Sequence, residues 1–338
     1  MGLEEPRRRT LTNPLPGLAG AVGALLVANS LMWLLNLGQP VIFQTNASCG
    51  YTARPDQWAS PLGFAYYINR YGLRGPSFPP QRPRQSVRLA FIGDSITFGG
   101  GRVRDRDLFV NVTARILRQR TDSNVQPVNI SEPGWGIQNM DGYISHQGLH
   151  DANAVVWVIP TCDFRRPKMA IGRHFPVLTR EPVLRIVTLL RAGWYWARAE
   201  PSGNGHSYWV QRHALRANLE AFRDALLRIR SAHAVTLTVF VPQQRQPSYA
   251  EHDLRAYQRL AASLDVPTCN LAAGFAESKR GLFYDGVHLN TSGHRLAGRL
   301  IAACIERFWQ IRPAQDGETQ NWATPIVSYA TSRWGSSP

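Results

Sequence analysis

Phe91-Ile92-Gly93-Asp94-Ser95-Ile96-Thr97-Phe98-Gly99 closes the apolar run that begins at Val87. An apolar run ending in a glycine and two small polar residues reads as a buried parallel strand that releases its chain into a loop at the carboxyl edge of a sheet. In open α/β sheets ligands bind at that edge. Gly93 allows a sharp turn, so the Ser95 hydroxyl can stand at the rim with room for a carbonyl carbon to approach. A serine hydroxyl needs a base, and Asp285-Gly286-Val287-His288, near the other end of the chain, offers one. On a tight loop that spacing lets the carboxylate fix the imidazole tautomer while the other ring nitrogen faces a pocket. The residues therefore suggest a triad of Ser95 as nucleophile, His288 as base and Asp285 as orienter.

Gly93-Asp94-Ser95-Ile96-Thr97 after the first strand, with Asp285-x-x-His288 before the last helix, resembles the GDSL/SGNH hydrolases, which are esterases and lipases. The similarity runs from about Arg84 to Trp309. It implies a flavodoxin-like three-layer α/β/α fold with a parallel sheet of about five strands. It also implies an oxyanion glycine after the second strand, where Gly134 fits best and Gly136 is the fallback, beside the Ser95 main-chain amide. After the third strand the family usually carries Gly-x-Asn-Asp. Here Thr161 and Cys162 stand where Gly and Asn belong, and only Asp163 matches. A thiol is a weak donor, so either turnover is low or another group replaces the missing amide.

The chain has 338 residues, 44% of them apolar, which is ample for a buried core. Its formal charge of +15 raises nucleic acid as a partner, but Lys168 and Lys279 are the only lysines and no basic run is interleaved with aromatics. Anionic glycans or lipid headgroups suit the arginine-rich composition better. Cys49, Cys162, Cys269 and Cys304 lack zinc-ligand spacing, and no metal or other cofactor is expected. Cys269 and Cys304 lie in apolar segments and read as core residues, with disulfide connectivity left open.

Residues 1–14 carry Arg7, Arg8 and Arg9, after which no charged residue appears before Arg54. The apolar stretch 15–37 is long enough to cross a hydrocarbon core of roughly 30 Å. It reads as a transmembrane signal anchor with a cytoplasmic amino terminus and the remainder extracytoplasmic, periplasmic or extracellular. A cleaved signal peptide, with Ala47-Ser48-Cys49 near its end, and a buried helix of a soluble domain are the alternatives. Residues 38–84, rich in Pro and Gly, read as an extended stalk, with Asn69-Arg70-Tyr71-Gly72-Leu73-Arg74-Gly75 as a turn packed on the domain rather than a catalytic element.

The hydrolase domain is expected over 85–311. Its helices fall at about 108–118, 210–229, 252–264 and 291–308, and its later strands at 125–130, 154–159, 235–241 and 268–271. An insertion at about 165–208 contains a helix opening at Pro182 and the aromatic run Trp194-Tyr195-Trp196, readable as core, sugar platform or membrane-surface anchor. His294 rivals His288 as base but falls inside the last helix and reads as structural. Residues 312–338 read as an irregular tail.

The residues thus point to a serine esterase or acyl hydrolase acting on an O-acylated envelope glycan or lipid. An O-acyltransferase with the same triad, or a non-catalytic binding protein on the same fold, is the alternative. Oligomeric state is not written in the sequence.

Overall fold

The computed structural model describes residues 15–61, 64–121, 123–171, 178–190, 213–278 and 281–309. The decisive strand, β5 (Ser86–Gly93), is buried along its whole length. Its apolar side chains alternate between two cores because both faces of a parallel sheet are covered by helices.

Four hairpin strands precede β5: β1 (Phe43–Asn46), β2 (Gly50–Ala53), β3 (Gln57–Ala59) and β4 (Tyr66–Ile68). After it come β6 (Asn124–Ser131), β7 (Ala154–Pro160), β8 (Val235–Val241) and β9 (Thr268–Asn270). The main sheet is parallel with order β6-β5-β7-β8-β9. Taking its five strands in chain order, this is 2-1-3-4-5, the doubly wound arrangement whose direction reverses between the first and third strands. The helices are α1 (Leu15–Leu34), α2 (Ser95–Phe98), α3 (Phe109–Thr121), α4 (Ile137–Gln147), α5 (Ala214–Ser231), α6 (Ala250–Ser263), α7 (Ala272–Ala276) and α8 (Thr291–Phe308).

One face of the sheet presents Ala90, Ile92, Val128, Trp157 and Phe240 to α4, α5 and α6 through Met140, Tyr143, Phe222 and Tyr257. The other presents Leu89, Phe91, Val156 and Val239 to α3 and α8 through Phe109, Leu117, Ala297 and Ile301. The helices expected at about 108–118, 252–264 and 291–308 and the expected later strands lie within a few residues of those observed, whereas α4 and the four hairpin strands are not among the expected elements. Trp194-Tyr195-Trp196, the start of the helix expected at Val210 and the tail from 312 lie outside the described residues.

One expectation changes. Residues 38–84 do not form a free stalk: β1 pairs with β2, β3 pairs with β4, and Tyr51, Ala53, Tyr66 and Ile68 join the first core. Even the proline-rich part is fastened, because the buried Arg88 guanidinium donates to the Pro79 and Pro80 carbonyls. Cys269 and Cys304 pack against the second core as expected, and the connectivity left open for them is a disulfide between β9 and α8 with a Cα–Cα distance of 6.3 Å. Closing that 35-residue interval removes freedom from the unfolded chain worth on the order of 3–4 kcal/mol.

The Asn69 to Gly75 turn is packed as expected, and it does more than fill space. Asn69 Oδ1 accepts from the Tyr71 and Leu73 amides. Arg74, 3% exposed, donates to the carbonyls of Phe98 and Val103 and to Asp105 Oδ1, and its guanidinium lies 4.1 Å from the Tyr66 ring centre. It thereby ties the segment after Ser95 to the hairpins.

α1 remains exposed along nearly all its length, with Asn29 and Met32 buried. Its Gly17–Leu34 stretch has a mean hydropathy of 1.7 and is long and apolar enough to cross a membrane.

Glu132, at the end of β6, is fully buried and its Oε1 accepts from the Ala53 amide at 2.6 Å. Burial pushes its carboxyl well above the ordinary 4.5, only partly opposed by that amide. An unfolded chain ionises near 4.5 while the folded one keeps the proton, so the folded state binds more protons in between and loses stability as pH rises. Glu132→Gln retains the acceptor and removes that slope. Urea unfolding of the detergent-solubilised chain is expected to show the variant gaining on the wild type as pH rises above about 5, at no more than about 1.4 kcal/mol per pH unit; parallel pH profiles would contradict it.

Candidate active site

β5 delivers Ser95 to the carboxyl edge through a turn with no spare room. A Cβ at Gly93 would stand 2.0 Å from Thr97 Oγ1, so glycine is required there for close approach. Asp94 caps α2, its Oδ1 accepting from the Ile96 amide at 2.9 Å. The cap fixes Ser95 as the first helical residue, beside the reversal point of the sheet.

The second part of the site comes from the loop before α8. Its ends are pinned by Phe283 bridging to Leu289 and by Asn290 capping α8. Gly286, at φ +83°, accepts from the Gln244 amide at the end of β8 through its carbonyl. Within the loop, Asp285 Oδ1 accepts from the Val287 and His288 amides, and Oδ2 lies 2.6 Å from His288 Nδ1. His288 Nε2 lies 2.8 Å from Ser95 Oγ. Sequence-distant Ser95, His288 and Asp285 are therefore brought into one hydrogen-bonded chain.

Burial opposes ionisation of Asp285, but the hydrogen bond and charge of His288 with the two loop amides outweigh it and hold the carboxyl below its ordinary value. An anionic Asp285 accepts a hydrogen bond from Nδ1–H, which keeps the proton on that nitrogen and leaves Nε2 as the acceptor for the Ser95 hydroxyl. The Tyr284 ring stacks on the imidazole at 5.6 Å between centroids and further limits its rotation. His294 sits differently. It is buried against Phe109, its Nδ1 accepts from the Phe109 amide at 3.4 Å, and burial lowers its pKa to about 3.

Of the two oxyanion candidates, the Gly136 amide already donates to Asn139 Oδ1 at 3.1 Å. That leaves Gly134, through its amide, as the candidate of the two. Its φ is +84°, and a Cβ there would press on the Tyr51 hydroxyl at 2.9 Å. The loop around it is held by the N-terminal hairpin: the Tyr51 hydroxyl donates to the Pro133 carbonyl and the Trp135 indole N–H to the Tyr51 carbonyl.

Cys162 is buried in the turn after β7, and burial raises its thiol well above 9, so it is a neutral group. Arg166 faces it. The guanidinium Nη2 lies 3.4 Å from Cys162 Sγ and 3.7 Å from Asp94 Oδ2, while Nε lies 2.7 Å from Asp163 Oδ1. Asp94, Cys162 and Asp163 place donor atoms within 4.8 Å of one another, a spacing open to a metal ion, yet the guanidinium already contacts all three. Burial pushes the Asp163 carboxyl well above its ordinary value against the pull of Arg166. Asp94 Oδ2 is in turn 3.3 Å from Ser95 Oγ, so a buried cation stands one carboxylate away from the serine. Sequence reasoning passed over Arg166. The one available signal was an arginine one helical turn after a polar position that had lost its usual amide.

Residues 91–296, more than half of the chain, match the model of the GDSL-like Lipase/Acylhydrolase family. No curated protein matches the chain in sequence. Similar solved structures include a lipase/acylhydrolase from Enterococcus faecalis, at 16% identity and TM-score 0.43 over 68% of this chain and 99% of that one. TesA is similar at 15% identity and TM-score 0.45 over 65% and 98% of the two chains. Axe2, an acetylxylan esterase from Geobacillus stearothermophilus, is similar at 15% identity and TM-score 0.43 over 65% and 95%. With the family model running from the end of β5 through Ser95 to the loop of Asp285 and His288, the chain belongs to the GDSL-like lipase/acylhydrolases and is a serine-dependent hydrolase of ester bonds.

Proposed function

We propose that Ser95, His288 and Asp285 carry out acyl transfer from an O-acylated envelope glycan or lipid to water, on the extracytoplasmic side of a membrane. The single observation behind the chemistry is the continuous hydrogen-bonded path from Ser95 Oγ through His288 to Asp285 at 2.8 and 2.6 Å. Ser95 Oγ attacks the ester carbonyl as its proton passes to Nε2, and Asp285 stabilises the imidazolium that forms. The carbonyl oxygen becomes an oxyanion that the Ser95 and Gly134 amides face. Collapse breaks the ester C–O bond, and the leaving alcohol takes the proton from Nε2. Water then gives a proton to Nε2 as it attacks the acyl-serine, and the same proton returns to Ser95 as the acid departs.

Arg166 fills the role that Cys162 has lost. A fixed cation in a buried site stabilises developing negative charge without reorganising during the reaction. The non-catalytic reading rests on Cys162 alone, and the guanidinium against its sulfur weakens that ground. The location rests on Arg7, Arg8 and Arg9 preceding an uncharged α1, and on the Cys269–Cys304 disulfide, which suits an oxidising compartment.

Ser95→Ala is expected to abolish both fluorophosphonate labelling and hydrolysis of a short-chain aryl ester; labelling that persists in the variant would overturn the assignment. Arg166→Gln is expected to lower kcat by on the order of 10²-fold with KM little changed, near-UV circular dichroism serving to show an intact fold. Cys162→Asn should leave the rate unchanged or slower, because the new amide meets the guanidinium, and a faster variant would mean that no group had replaced the amide. Mass spectrometry of envelope glycans and lipids from cells with and without the protein tests the substrate class: O-acyl groups should accumulate in its absence, and identical acylation would contradict this reading.

A further inference from the structure

Residues 182–190, Pro-Val-Leu-Arg-Ile-Val-Thr-Leu-Leu, contain one charge, and that charge is spent on α1. The Arg185 amide donates to Asn29 Oδ1 at 2.7 Å. Its guanidinium reaches the Met32 carbonyl and lies 3.6 Å from the Trp33 ring centre. The Met32 carbonyl, near the end of the helix, already accepts from the Leu37 amide and takes the basic side chain as a second donor. The segment is also anchored from behind, since the Phe43 amide of β1 donates to the Leu178 carbonyl. Three of its apolar side chains nevertheless face outward: Val183 is 90%, Leu190 64% and Leu189 38% exposed.

These contacts fix a depth. The twenty residues of α1 rise about 30 Å, which matches a hydrocarbon core of roughly 30 Å and leaves no spare length. Asn29 lies five residues before Leu34, and so about 7 Å inside the end of the helix. The backbone of Arg185, bonded to Asn29, sits at the same level. That depth falls in the roughly 5–10 Å to which apolar faces of interfacial segments enter the headgroup and acyl boundary. Arg185 sends its charge along α1 toward Met32 and Trp33, back in the direction of the surface, as a long basic side chain does at such a boundary.

We infer that residues 183–190 are a second membrane contact, seated in the outer part of the leaflet that faces the catalytic domain, with the phospholipid bilayer as partner. This rests on the reading of α1 as a membrane span. With α1 it gives the domain two attachments to the surface, which restrains its tilt and keeps the edge of the sheet at a constant height for substrates held in or on the envelope.

The test uses the full-length protein in phosphatidylcholine/phosphatidylglycerol vesicles whose acyl chains are brominated. The native Cys49 and Cys162 are buried, so bimane can be attached at single cysteines introduced as Val183→Cys, Leu190→Cys, Leu25→Cys within α1, and Arg216→Cys on an exposed face of α5. Each labelled protein is first required to hydrolyse a short-chain aryl ester. Strong quenching at 25, 183 and 190 with little at 216 is the expected result. Quenching at 25 but none at 183 and 190 overturns the inference and leaves the anchor standing. Absence of quenching at 25 overturns both.

Discussion

The hydrogen bond between His288 Nε2 and Ser95 Oγ joins residues 193 positions apart, and the rest of the fold serves to make it short. Neither loop could hold its partner alone. β5 ends beside the reversal point of the sheet, and the loop before α8 reaches the same edge because Gln244, at the end of β8, fastens Gly286. A strand order of 2-1-3-4-5 brings those ends to one side, which is the geometric reason that a doubly wound sheet can assemble a site from the two extremes of a chain. Local constraints then set the atoms: the glycine at 93 for lack of room, the Asp94 cap, and an Asp285 carboxylate held by two amides of its own loop.

Around that bond the serine is backed by buried polar groups. Arg166 sits among two buried carboxyls and a neutral thiol, and Glu132 beneath the Gly134 loop keeps its proton. The N-terminal hairpins close over this arrangement. Tyr51 and Ala53 support the loop that carries Gly134, and Arg74 binds the carbonyls that follow α2. The chain between α1 and the sheet is therefore part of the catalytic body, so the distance from α1 to the active site is set by packing rather than by linker length.

Much of this was legible in the residues. The run into Gly93-Asp94-Ser95 and the Asp285-x-x-His288 spacing carried the fold and the site geometry, because strand burial and tight-loop chemistry are local properties that one sequence displays. What escaped were pairings between distant segments. The proline-rich stretch reads as extended from composition, yet nothing near Pro79 and Pro80 announces that Arg88 will bind their carbonyls. Cys269 and Cys304 look like core thiols because each stands among apolar residues, and only the docking of α8 beside β9 brings them together. Arg166 was hidden for the same reason: its partners include Asp94, which reaches it only once β5 and β7 lie side by side.

The most direct measurement is the site and fate of the acyl group during turnover. Rapid acid quenching of the enzyme with an activated ester, followed by peptide mass spectrometry, is expected to show one acyl group on the peptide that contains Ser95, forming before free acid appears and decaying as it does. Acyl transfer without any modification of that peptide, or modification of it that never decays to product, would contradict the account.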